Sequence, residues 1–288
     1  MTDQADSLRD LVTRGRAAGA PLRVIAVTSG KGGVGKTHLA CNLAVLAARA
    51  GRRVLLLDAD LGLANADIVL GVAPHRHLGH VLDGSFPIQD VLAEGPCGVR
   101  ILAASTGVQE LTRLDDEQKQ RLLLALDAVE DRFDLVLIDC GAGIGDNVLF
   151  FVGAAHEVLL VASPEPTSLT DAYAAVKVLS GGARVDRFSL VVNPASSEAQ
   201  ARQVYAKLTS VTDRFLTARI ALLGHIPRDE NLQRALVAQR PVVELFPRSP
   251  CSRALERISR AILDAPPRPS LHGGLRFLWE RLRRETAA

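Results

Sequence analysis

The chain predicts a doubly wound α/β domain on a mainly parallel sheet, and three features of its 288 residues carry that expectation. Short runs rich in Val, Ile and Leu alternate with longer amphipathic stretches, the order that strands and crossover helices follow. The runs are apolar throughout rather than at every second position, as expected of strands covered on both faces. Apolar residues make up 48% of the chain and aromatic ones only 4%, so the core must be built from aliphatic side chains.

Strands are expected at 24–28, 54–57, 135–138, 158–161, 190–192 and 220–226, with helices between them. One helix is read over 115–132, with Asp115 as N-cap, Glu117 in the first turn, and Leu122, Leu126 and Val129 on one face. Gly51 closes another that starts at Lys36. The most apolar stretch, 148–162, is broken by His156 and Glu157 and reads as a helix end followed by a buried strand. No run approaches the roughly 18 residues of a spanning helix, and the start has no secretory pattern, so a cytoplasmic protein is expected. The core domain is placed at 22–264. Residues 1–20, with balanced charge and little apolar content, form an arm; Pro266-Pro267 opens a linker over 265–270, and a tail follows over 271–288.

A formal net charge of +2, from 34 basic and 32 acidic residues, gives no global pull toward nucleic acid or anionic membrane. Cys41, Cys97, Cys140 and Cys251 include no C-x-x-C pair, so reduced core thiols are expected rather than a zinc or redox site.

The strongest chemical signal is Gly30-Lys31-Gly32-Gly33-Val34-Gly35-Lys36-Thr37, which follows a strand and opens a helix. Glycines let such a loop wrap with its N–H groups inward, and the helix N-terminus favours anionic phosphate. Lys36 is placed to reach the β- and γ-phosphates and Thr37 to ligate Mg²⁺. A glycine-rich turn of purely structural purpose explains the glycines but not the Lys-Thr pair. Downstream, Asp58 and Asp60 leave the second strand at its carboxyl edge, where they stand beside the phosphates or cap the next helix. The run 135–138 is apolar until Asp139, the pattern of a buried strand delivering one carboxylate to Mg²⁺ through water. The small residues from Cys140 to Ile144 suit a loop that moves when γ-phosphate is lost. Asn193 ends another strand, where its amide matches an adenine edge or makes a turn before Pro194.

Lys31 is not required by the ordinary phosphate-loop mechanism, and with it the chain resembles the MinD/ParA ATPases over about residues 22–264. The resemblance implies a P-loop fold, ATP and Mg²⁺ as ligands, and an ATP-dependent homodimer in which Lys31 reaches phosphates held by the other subunit. It further implies that Asp60 orients the attacking water and Asp58 lies near the Mg²⁺ shell. Asn193 would then face the base, with Pro227 and Arg228 packing nearby, and Glu165 would touch the partner's nucleotide. His38 departs from the smaller residue expected there. Iron proteins share the loop but bring paired cysteines, which Cys140 lacks.

Within that group, the segments from Asp58 to Asn65 and from Asp139 to Ile144 most resemble the flagellar-number regulators FlhG and FleN. The start, with Asp3, Gln4, Ala5, Leu8 and Arg9, looks like their DQAxxLR element, which implies the flagellar GTPase FlhF as partner. A transcriptional activator or a switch-complex protein is a second expected partner. In the tail, Leu271, Leu275, Leu278, Trp279 and Leu282 share one side at helical spacing, with Phe277 off the stripe. That pattern fits peripheral attachment to an anionic membrane or docking on the chain's own core. ParA-type DNA or cargo partitioning and septum-site MinD are the alternatives, but there is no basic stripe or N-terminal helix-turn-helix to support DNA binding. A metabolic reductase or ligase would need a substrate constellation that is not visible.

Overall fold

The computed structural model describes residues 22–104 and 113–266; the expected arm and tail lie outside them. Eight strands form one sheet: β1 (Arg23–Ser29), β2 (Val54–Ala59), β3 (Ala93–Glu94), β4 (Arg100–Leu102), β5 (Leu135–Ala142), β6 (Glu157–Ala162), β7 (Arg187–Val192) and β8 (Arg219–His225). Their order is β3-β4-β2-β5-β1-β6-β7-β8, parallel throughout except for the short β3 pairing with β4. β1 lies between β5 and β6, so the crossovers diverge to either side of its carboxyl end. That is the topological switch point at which doubly wound sheets bind ligands.

Both faces are covered, which accounts for the unbroken apolar runs. In β1, Val24 and Ala26 join one core cluster while Ile25 and Val27 join the other. Packed on the first face are α3 (Leu78–Leu82), α4 (Ile88–Val91), α5 (Asp116–Asp127), α6 (Asp146–Gly153), α7 (Pro166–Gly182) and α8 (Glu198–Phe215). The second face carries α1 (Lys36–Arg49), α2 (Ala66–Leu70), α9 (Glu230–Val237), α10 (Val242–Leu245) and α11 (Pro250–Asp264). Buried Asn42 ties two of these together, donating to the His38 carbonyl within α1 and accepting from the Val243 N–H of α10.

Four expectations need correction. β3 and β4 are absent from the predicted strands because two and three residues are too few to show a period. Asp115 does cap α5, but the helix stops at Asp127 and the chain tightens into a 3₁₀ turn over Glu130–Arg132, which lets Phe133 enter the core ahead of β5. Gly141 and Ala142 belong to β5 rather than to a loop. Cys41, Cys140 and Cys251 are buried as expected, whereas Cys97 is exposed on a tight turn.

At the amino edge of the sheet, buried Arg23 joins three elements. Its Nε and one terminal nitrogen donate to Glu157 Oε1 of β6 at 2.9 and 2.6 Å, and the other terminal nitrogen donates to the carbonyls of Ile262 and Ala265 at the end of α11. A cation is well placed there, since the last carbonyls of a helix have no intrahelical partner. Arg23→Ala should cost about 3–5 kcal/mol in denaturant unfolding, because Glu157 is left buried and unpaired. Replacing both residues by Met should recover most of that loss, by about 2 kcal/mol or more.

Candidate functional site

The phosphate-loop residues Gly30 to Gly35 link β1 to α1, and their glycines answer to specific contacts. A Cβ on Gly30 would lie 2.0 Å from the Asp171 carbonyl oxygen, so only glycine lets the loop pack against α7. Gly33 and Gly35 have φ of 75° and 88°, the left-handed region. Gly35 precedes α1 directly, and a Cβ there would also meet Asn193 Nδ2 at 2.3 Å. Ser29 braces the loop by donating to the Lys31 carbonyl at 2.7 Å. Lys36 is buried in the first turn of α1, Val34 is buried, and Gly32 and Gly33 are exposed. Burial holds the imidazole of His38 below its usual pKa, favouring the neutral form.

Asp58 and Asp139 are register partners on neighbouring β2 and β5, and both side chains are buried. Their environments differ sharply. Asp58 Oδ2 accepts from the N–H groups of Asn65 and Ala66 at 3.1 Å each, and Oδ1 accepts from that of Asp60. The capping alternative is therefore realised: Asp58 holds the start of α2. Burial still raises its pKa to about 6, against the opposing pull of those three hydrogen bonds. For Asp139, neither carboxylate oxygen has a hydrogen-bond partner of good geometry among the described residues, although the Thr37 hydroxyl lies close enough to favour the charged form. Burial first, then the Asp58 charge, pushes it up to about 8, with the Thr37 hydroxyl and Lys36 ammonium opposing.

This donor set fits Mg²⁺, which takes one or two carboxylates together with substrate phosphates and water rather than an all-protein cage. Among the described residues no group of three or more His, Cys, Asp or Glu could hold a metal ion. Thr37 and Asp139 are the side chains that would hold the ion, with Asp58 behind them. Asp60 is partly exposed, accepts from the Leu63 N–H, and lies close to Gly141 of β5. The buried thiol of Cys140 is pushed far above its usual pKa by burial and then by Asp139, as an inert core residue should be.

Asn193 comes into the site in a way that composition did not reveal. Its Nδ2 donates to the Val34 carbonyl at 2.7 Å, so the donor that would face a base braces the phosphate loop. Ala195 donates to the Ile226 carbonyl and Ile226 to the Val192 carbonyl, which sets Pro227 and exposed Arg228 beside this turn. Lys31 Nζ donates to Glu165 Oε2 at 2.7 Å and to Thr167 Oγ1 at 3.1 Å within the same subunit. That bond holds the Glu165 carboxyl below its usual range. Thr167 and Asp171 escaped the sequence reading. Their only signal was proximity to Glu165 at the start of α7.

A neutral isostere at position 139 should separate folding from ligand binding. Asp139→Asn removes a carboxyl whose ionisation burial opposes, so the nucleotide-free protein should gain about 1 kcal/mol or more in denaturant unfolding near neutral pH while Mg²⁺ ceases to strengthen ADP binding. Unchanged stability together with full Mg²⁺ enhancement would contradict the assignment.

Residues 25–242 match the CobQ/CobB/MinD/ParA nucleotide binding domain. The antiactivator FleN of Pseudomonas aeruginosa is 47% identical over 262 residues, covering 91% of this chain and 94% of that protein. The flagellum site-determining protein YlxH of Helicobacter pylori is 29% identical, covering 84% and 82%. Among solved structures, the septum site-determining protein MinD of Pyrococcus horikoshii, complexed with Mg-ADP, aligns with a TM-score of 0.68 and 27% identity over 86% of this chain and 100% of that one. With its glycine loop, Lys36 and the β2–β5 carboxylates gathered at the switch point of the sheet, the chain belongs to the CobQ/CobB/MinD/ParA nucleotide-binding family and has the MinD-like P-loop fold.

Proposed function

We propose that this protein is an ATP-hydrolysing dimerisation switch that governs the number and placement of flagella. The observation that carries the switch is Lys31, whose side chain stands 38% exposed at the rim of the phosphate loop, where Glu165 and Thr167 of its own subunit hold it. A cation so placed can exchange those contacts for phosphate held by a second subunit, where it would stabilise developing charge and make hydrolysis depend on dimerisation. Lys36 and the loop N–H groups bind the phosphates, and Asp60, beside Gly141, positions water. Mg²⁺, held by Thr37 and Asp139, would neutralise phosphate charge.

The biological half of the proposal rests on likeness. FleN is described as an antiactivator and YlxH as flagellum site-determining. A transcriptional activator is accordingly one partner class. Activation of the GTPase FlhF through residues 3–9, and peripheral membrane attachment through 271–284, extend the same reading. Among the described residues no helix is long and apolar enough to cross a membrane.

Light scattering with Mg-ATP tests the switch. Asp60→Ala should dimerise but turn over at least about 100-fold more slowly, whereas Lys31→Ala should stay monomeric. Equal dimer content in Lys31→Ala and the unsubstituted protein would remove the cross-subunit role. For the membrane arm, anionic liposomes should pellet the protein more with ATP than with ADP, because two tails in a dimer gain roughly 10²–10⁴ in avidity. Leu278→Glu/Trp279→Glu should stay in the supernatant with either nucleotide while still dimerising; full ATP-dependent pelleting of that variant would reject the tail as anchor. In a flagellated host, deletion should change flagellar number or placement, and an unaltered pattern would refute the biological assignment while leaving the ATPase intact.

A further inference from the structure

At the amino edge of the sheet, opposite the phosphate loop, the turns border a half-open cavity of about 520 Å³. Because β2, β4 and β5 run parallel, the residues at or just before their starts gather there: Arg52 and Arg53 ahead of β2, Arg100 opening β4, and Arg132 ahead of β5. These four arginines and Gln89 line the cavity; among the described residues no carboxylate does, although Glu244 lies against the lining residue Cys97. Beneath them Ala48, Val54, Leu92 and Phe133 supply an apolar floor.

Two of the guanidinium groups are oriented by neighbours. Arg53 pairs with Asp134 at 2.7 Å and Arg100 with Glu94 at 3.1 Å. Among the described residues Arg52 and Arg132 form no ion pair. Asp134, Glu94 and the nearby Asp131 offset part of the positive charge from outside the lining. Gly51 and Gly98, with φ of 81° and 80°, have nothing within 4 Å of a Cβ position, which keeps the walls open at those turns. Six-residue β2 separates this edge from Asp58 and Asp60 by about 20 Å, so the cavity is not an extension of the nucleotide site.

We propose that this cavity is a second ligand site, for a soluble phosphate-bearing molecule of nucleotide size. Guanidinium forks match phosphate oxygens in a way that a diffuse positive surface does not. The volume falls within the range of about 300–1,000 Å³ usual for small-molecule sites. An apolar floor under a cationic rim suits a ring carrying phosphate better than a bare inorganic ion. The turn bearing Arg52 and Arg53 joins α1, which begins at Lys36, to β2, which ends beside Asp60, so an occupant would contact the far ends of two elements that build the nucleotide site.

Cys97 supplies a local probe, since it lines the cavity and is exposed while the other three cysteines are buried. The full chain, with its phosphate loop saturated by Mg-ADP, is alkylated with N-ethylmaleimide in the presence of adenosine 3′,5′-bisphosphate. Occupancy should slow Cys97 alkylation saturably, by about tenfold when the probe reaches ten times its Kd. Arg52→Glu/Arg132→Glu should abolish protection while leaving Mg-ADP affinity within about twofold, which shows that the fold is intact. A control with the same charge change elsewhere, Arg214→Glu/Arg219→Glu, should keep protection. Absence of protection, or equal protection in the Arg52/Arg132 variant, overturns the proposal, as does its loss in the control. Protection by phosphatidylglycerol vesicles but not by the bisphosphate would assign the arginines to a lipid headgroup and reject the soluble ligand.

Discussion

Two carboxylates held side by side in the buried end of a parallel sheet set the terms for everything around them. Asp58 and Asp139 are register partners on β2 and β5, a strand spacing of about 4.8 Å apart. Like charges so close, and out of water, oppose each other's ionisation. The structure resolves the conflict unequally: three backbone N–H groups converge on Asp58, and none reaches Asp139. Asp139 is therefore the group that a bound cation would most relieve, and the glycine loop, Lys36 and Thr37 surround the place where such a cation and its phosphates would sit.

The same asymmetry links the site to the rest of the fold. Because Asp58 caps the start of α2 and Asp60 holds Leu63, the two carboxylates are tied to the segment from Leu61 to Ala66. The far end of α2 closes at Gly71, where a Cβ would lie 2.5 Å from the Gln239 carbonyl, so α2 is fitted against the turn between α9 and α10. On the opposite flank Gly143 donates to the Ser29 carbonyl, joining the end of β5 to the entrance of the phosphate loop. These contacts connect the carboxylates to the turn between α9 and α10 on one side and to the phosphate loop on the other.

In the proposed switch, Lys31 would exchange one partner for another. Within a subunit Lys31 and Glu165 satisfy each other at 2.7 Å on the protein surface. An exposed pair of this kind contributes little to stability, so it can be broken at small cost when a better anion arrives. Nucleotide phosphate is such an anion. The proposed switch thus needs no large rearrangement of the loop, only an exchange of partners by one side chain.

The sheet class, the glycine loop between strand and helix, and the placement of Asp60 and Asp139 near the carboxyl ends of their strands were legible in the amino-acid sequence because each is written locally. A run covered on both faces is apolar throughout, a phosphate loop requires glycines followed by Lys-Thr, and an apolar run broken by a single Asp announces its carboxylate. The short β3 and β4 carry too few residues to show a period, and the early end of α5 follows from Phe133 entering the core. Neither leaves a local mark. The donation from Asn193 to Val34, the pairing of Lys31 with Glu165 and Thr167, and the clash that keeps Gly30 a glycine against Asp171 span 134 to 159 residues in the bonded cases. The amino-edge cavity likewise draws its arginines from three separate turns. Local sequence specified which groups each segment carries; only the parallel stacking of the strands decided which of them meet, because contact depends on sheet order, and sheet order is set by long-range packing.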